Sequence, residues 1–158
     1  MTLLRDLRFA HMEEVLTSIK TRRKMMGYRS DVAYTIRFTS DHDTNNVQSF
    51  YTFLAEAKTD PRCAVALSEV EVDEKRQTFT YSATDVKWYE SYPDVMSHAA
   101  LFELAREWAQ QMEEGKLNCT IGAVFIRVGE DSADIDERTA GDYDGDWVRV
   151  KREIITDW

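Results

Sequence analysis

A chain of 158 residues with 43% hydrophobic and 11% aromatic side chains has enough apolar material for one self-supporting core and lies far from the composition of a disordered segment. Its formal net charge of −9 argues against direct nucleic-acid binding, and two cysteines without any paired Cys/His spacing fit a reducing compartment better than a disulfide framework or a zinc site. The charge is also unevenly spread, because residues 1 to 40 carry eight bases against four acids, a net of +4, so that the remainder must sum to −13.

The opening stretch, MTLLRDLRFAHMEEVL, has charges scattered among its apolar positions and lacks the continuous apolar core of a signal peptide. No segment approaches the roughly 18 to 20 apolar residues that span a bilayer, so a cytoplasmic protein is expected. Residues 3 to 25 read as a helix, with Met12, Val15, Leu16 and Ile19 at helical spacing and Leu4 and Leu7 extending the stripe. Lys20, Arg22, Arg23 and Lys24 close it, with Gly27 as a stop.

Residues 32 to 39 alternate, with Val32, Tyr34, Ile36 and Phe38 on one face and Ala33, Thr35, Arg37 and Thr39 on the other, as in a half-buried strand. The capping-rich stretch TSDHDTNN then leads to a helix with Val47, Phe50, Tyr51 and Leu54 in a stripe, ended by Asp60-Pro61. Residues 63 to 72 read as a strand whose parity slips at Ser68-Glu69, and a polar turn over residues 73 to 77 joins it in a hairpin to a strand containing Phe79 and Tyr81. A second parity slip falls before Val86.

Pro93-Asp94 fits the first turn of a long helix reaching about residue 114, with Gly115 at C′; its apolar positions cover more than one stripe, which predicts burial on two sides. Residues 119 to 128 form an apolar run without clean alternation, as expected of a strand covered on both faces. An acidic loop over residues 130 to 146 follows, and residues 147 to 155 read as the last strand. Together these give a single α+β domain over residues 1 to 158: a mainly antiparallel sheet with a ferredoxin-like β-α-β-β-α-β core, an extra N-terminal helix and an extra C-terminal strand.

The acidic segment carries the functional signal. Glu130, Asp131, Asp134, Asp136, Glu137, Asp142, Asp144 and Asp146 face a single base, Arg138. Carboxylates repeated along an exposed ribbon imitate the spacing of backbone phosphates and steer toward a basic surface. The Asp142, Asp144, Asp146 alternation also resembles the start of a calcium loop. However, Trp147 stands where an EF-hand needs glycine, and Glu153 falls in a predicted strand. Asp41-His42-Asp43, between a strand and a helix, is a second candidate metal or base position, although Asp43, Thr44 and Asn45 are also ordinary helix-capping residues.

Trp88, Tyr89 and Tyr92 precede Pro93 where the strand pattern decays, and aromatic residues in such segments often anchor protein interfaces. No G-x-S-x-G, Walker-type, G-x-G-x-x-G or H-E-x-x-H motif occurs, which weighs against an enzyme, and no cofactor is expected. The expected function is therefore a non-enzymatic interaction protein that meets a basic protein partner through Asp131, Asp134, Asp136, Glu137, Asp142, Asp144 and Asp146, with Trp88, Tyr89 and Tyr92. Its sharpest version is an inhibitor of a nucleic-acid-binding protein of the sort that viruses and mobile elements encode. A divalent-metal protein is the alternative, and head-to-tail self-association of the basic cluster at residues 20 to 24 on the acidic segment is a third reading.

Overall fold

The alternation at residues 32 to 38 decides the centre of the fold. In the computed structural model, which describes residues 27 to 39, 44 to 131, 133 to 145 and 147 to 150, these residues belong to β1 (Ser30–Phe38). Val32, Tyr34, Ile36 and Phe38 are all buried on the same face. The strand pairs antiparallel on one side with β3 (Thr78–Val86) and on the other with β4 (Ile121–Gly129). With β2 (Glu71–Asp73) and β5 (Ile135–Gly141) at the edges, the five-stranded antiparallel sheet runs β2-β3-β1-β4-β5. The expected helix at residues 3 to 25, the triplet Asp41-His42-Asp43, Asp146 and everything after residue 150 lie outside the described residues.

The helices supply the other half of the core. In α1 (Thr44–Thr59), Phe50, Phe53 and Ala57 are fully buried against Phe38 and Phe79 of the sheet, with ring centroids 5.1–5.9 Å apart for the Phe pairs. In α3 (Pro93–Glu113), nine residues from Val95 to Ala109 are buried, as the multiple stripes predict. Proline starts α3 and Gly115 ends it at φ +73°, the left-handed C′ conformation that only glycine adopts without strain.

Three expectations need correction. Residues 63 to 72 are not a strand: Pro61–Cys63 is a 3₁₀ turn that runs into a short helix, α2 (Ala64–Glu69), and only Glu71–Asp73 pairs as β2. Asp60 caps this region, accepting the Arg62 N–H at 2.9 Å, with Pro61 in the first helical position and helix-forming alanines behind it. Cys63, Ala66 and Val70 are buried while Val65 is exposed, so burial follows the helical period and not the apparent alternation of Val65 and Leu67.

Second, the acidic segment is not one loop, since its middle is β5, paired with β4 from Val128↔Ile135 to Gly122↔Gly141. Ile135 and Thr139 suit a strand, and a tight turn joins the pair, with Gly129 N–H bonded to Asp134 O at 2.8 Å and Asp134 N–H to Asp131 O at 2.9 Å. Third, residues 147 to 150, read as the beginning of the last strand, are irregular. The chain instead folds back after β5, where Asp142 N–H donates to Ile121 O at 2.9 Å. Gly122 permits this approach, because a Cβ there would overlap the Asp142 carbonyl and the Trp147 ring.

The two parity arguments along β3 and β4 agree with the structure. Ser30 pairs with Val86 and Val32 with Ala83, so β3 spends one more residue than β1 over that interval, a bulge with Asp85 at φ 55°. In β4, Ile121, Ala123 and Phe125 face the helices, while Val124 and Ile126, on the opposite face, are also buried.

Candidate interaction groove and acidic ribbon

Alternation in β4 and β5 brings charged side chains onto the helix-bearing face at one end of the sheet. Phe125 lies opposite Arg138 and Arg127 opposite Asp136, so these residues form a two-strand ladder. Arg127 grips Asp134 through both guanidinium nitrogens at 2.7 and 2.9 Å, and Arg138 pairs with Asp136 at 2.7 Å while its guanidinium lies 5.5 Å from the Phe125 ring centre.

Tyr28 ties this end together. Its hydroxyl donates to Asp134 at 2.7 Å and accepts the Asp131 N–H at 3.1 Å, while its own backbone N–H donates to the Tyr89 hydroxyl at 2.6 Å. Hydrogen bonds from Arg127 and then Tyr28 hold the Asp134 carboxyl well below the usual carboxylate range, at about 2.

A groove of about 1050 Å³ opens between this ladder, the segment before α3 and the first turns of α3. Trp88, Phe102 and Phe125 form its apolar floor, and Tyr28 and Tyr89 stand at its side. Trp88 is only partly exposed, packed against Tyr81, His98 and Phe125 with centroids 5.6–6.2 Å apart, whereas Tyr92 is 40% exposed and meets Tyr89 at a tilt, with centroids 5.1 Å apart. Among the described residues four arginines (62, 106, 127 and 138) and four carboxylates (Glu90, Glu103, Asp134 and Asp136) line the groove, so these charges balance.

Beneath the floor a chain of hydrogen bonds runs from buried Tyr34 and His98 out to Glu69, which is exposed. His98 Nδ1 is 2.7 Å from the Tyr34 hydroxyl and Nε2 is 2.6 Å from Glu69. A carboxylate partner makes Nε2 the protonated nitrogen, so Nδ1 accepts from Tyr34, whose phenol burial keeps protonated by raising its pKa. With both ring nitrogens engaged, His98 has neither a lone pair nor a proton to offer a ligand. The two thiols are similarly withdrawn: burial pushes Cys63 up to about 11 and raises Cys119.

The remaining acids point elsewhere. Glu137, Asp142 and Asp144 are exposed, and no described cation forms an ion pair with them. Glu130 accepts the Arg29 N–H at 2.8 Å and Asp131 the Ala133 N–H at 3.0 Å, bonds that fix the turn without neutralising either charge. Among the described residues no group of three His, Cys, Asp or Glu side chains converges as metal ligands do. The sequence-predicted site residues thus divide into three placements. Trp88, Tyr89, Asp134 and Asp136 share the groove, Tyr92 packs against Tyr89 beside it, and Asp131, Glu137, Asp142 and Asp144 lie along the β5 ribbon and its flanking turns.

Arg127, Arg138 and Tyr28 were not singled out from the sequence. The alternation of Phe125 with Arg127 and of Asp136 with Arg138 is visible there, but the register that makes them partners is not. No helix among the described residues is long and apolar enough to cross a membrane. No known protein family matches the chain, and no curated protein matches it.

Proposed function

We propose that this chain is a non-enzymatic acidic interaction protein that engages a basic protein surface through β5 and its two flanking turns. The observation that carries the reading is the set of five exposed carboxylates, Glu130, Asp131, Glu137, Asp142 and Asp144, arrayed on and around an edge strand without a described cation to pair them. Glu137 on the strand and the four acids in its flanking turns concentrate negative charge at one edge of the sheet, which favours electrostatic steering toward a basic partner. Among the described residues no strand covers the outer edge of β5, which leaves its backbone available for strand addition. The neutral aromatic groove beside it supplies an apolar anchor.

The sharpest form of this reading is an inhibitor of a nucleic-acid-binding protein, in which the ribbon occupies the place of backbone phosphates. The strand order β2-β3-β1-β4 with α1 and α3 as crossovers supports a ferredoxin-like core extended by β5. Two buried cysteines, neither in a disulfide, support a cytoplasmic setting. The test is affinity capture at low and high salt with the wild-type chain and with the Glu137→Lys, Asp142→Lys, Asp144→Lys variant. The reading expects one basic partner, retained only by the wild type and released by salt. A melting temperature that rises with calcium and falls with chelator would move the assignment to a metal-binding protein.

A further inference from the structure

The sheet face turned away from the helices carries Arg37 on β1, with Glu71 and Asp73 of β2 beyond the β3 threonines. Thr35 pairs with Thr80 and Arg37 with Thr78 across β1 and β3, so all four side chains share that face. With the β2–β3 turn and Trp147 they enclose a recess of about 760 Å³, within the range of small-molecule sites. Among the described residues its charged lining is Arg37, Lys75 and Arg76, with no carboxylate.

None of the three cations has an ion pair shorter than 3.8 Å among the described residues. Arg37 is held by an aromatic ring, its guanidinium 5.4 Å from the Trp147 centre, and no described carboxylate pairs with it. Lys75 and Arg76 stand on a turn pinned by Asp73, whose Oδ1 accepts both backbone N–H groups at 3.0 Å. Lys75 has no ion pair among the described residues, and Arg76 has only a 3.8 Å contact with Asp73 while remaining 83% exposed. Thr39 also lines the recess, and its Oγ1 is a buried hydroxyl without a hydrogen-bond partner among the described residues. Cations without a close ion pair and hydroxyl donors are what a phosphoryl group requires.

We propose that this recess binds a compact phosphorylated ligand, with Arg37, Lys75 and Arg76 taking its phosphoryl oxygens and the threonine hydroxyls donating to them. Size is set by the neighbouring field. Acidic β5 lies two strands from β1, about 10 Å away, which is about one Debye length at 0.1 M salt. A long polyanion laid across the sheet meets those carboxylates, whereas a compact phosphate does not. The site lies on the opposite face from the groove.

The test is calorimetric titration of the full chain with pyrophosphate, adenosine triphosphate and a single-stranded oligothymidylate, which separates inorganic, nucleotide and strand sources of the same group. Pyrophosphate or the nucleotide is expected to bind, with the oligonucleotide no tighter. Arg37→Gln and, separately, Lys75→Gln with Arg76→Gln are each expected to weaken binding by about tenfold or more, the scale of losing a hydrogen bond to a charged group. The double variant alters exposed turn positions, so it keeps the test meaningful if the Arg37 change disturbs β1. No heat with pyrophosphate or nucleotide at millimolar concentration, or affinity unchanged in both variants, overturns the site. Markedly tighter binding of the oligonucleotide overturns the compact-ligand assignment in favour of a nucleic-acid strand.

Discussion

Asp134 and Asp142 sit at opposite ends of the same strand and have opposite fates. Asp134, at the turn into β5, is held by two nitrogens of Arg127 and the hydroxyl of Tyr28, and its charge is spent on fastening the β4–β5 hairpin to the groove. Asp142, just past the other end, contributes its backbone to the fold through Ile121 and leaves its carboxylate exposed. The same residue type in one acidic run therefore does structural work at one end and presents unneutralised charge at the other. Counting carboxylates measures the field of a segment, and only pairing reveals which of them a partner can use.

The comparison can be broken most strongly at Gly122, which seats the Asp142 end. Gly122→Ala forces the Asp142 carbonyl and the Trp147 ring away from β4, an expected loss of about 3 kcal/mol in urea unfolding, at the upper end of ordinary single substitutions. A cost near zero would show that the turn is not seated on β4 as described.

The Asp134 end is sharpened by acid titration. Its carboxyl is depressed to about 2, so the stability it contributes is complete above the ordinary aspartate value near 3.9 and disappears as pH falls through about 2. Arg127→Met removes the principal cause of that depression. The variant should melt at a lower temperature than the wild type at pH 5, and the gap should narrow between about pH 4 and pH 2. A gap independent of pH would locate the role of Arg127 in packing alone.

The smallest effects on stability belong to the exposed acids. Glu137→Lys, Asp142→Lys and Asp144→Lys should each shift unfolding by no more than about 0.5 kcal/mol, as for surface positions without partners. A larger loss at any of them would mean that its charge belongs to the fold, as that of Asp134 does.

Much of this architecture was legible in the sequence, and the limits of that reading have physical causes. The alternation of β1 and the span of α3 could be read because each is a long element with one dominant period and clear terminators. Residues 63 to 72 misled because Val65 and Leu67 alternate over too short a stretch to separate strand from helix, and the deciding contacts come from Asp60 and from Ser97, whose hydroxyl accepts the Ala66 N–H at 2.9 Å. β5 was hidden because its charge density resembles a solvated loop, whereas alternation there sorts Asp136 and Arg138 to one face and Glu137 to the other. The aromatic members of the groove were visible as Trp88, Tyr89 and Tyr92. Its arginines were not, because Arg127 acquires meaning only once the register places it against Asp136 and beside Asp134.

The central claim is that unpaired charge on the β5 ribbon, and not the acidity of the chain as a whole, recognises a partner. The most direct measurement is affinity capture of a basic protein at about 0.1 M and about 1 M salt, where screening lengths are about 10 and 3 Å, using the wild type, Glu137→Lys with Asp142→Lys and Asp144→Lys, and a control that reverses Glu71, Glu74 and Glu113 to lysine. The account predicts retention by the wild type and the control at low salt, release at high salt, and no retention by the ribbon variant. Equal retention by all three proteins, or loss in the control as great as in the ribbon variant, would contradict it.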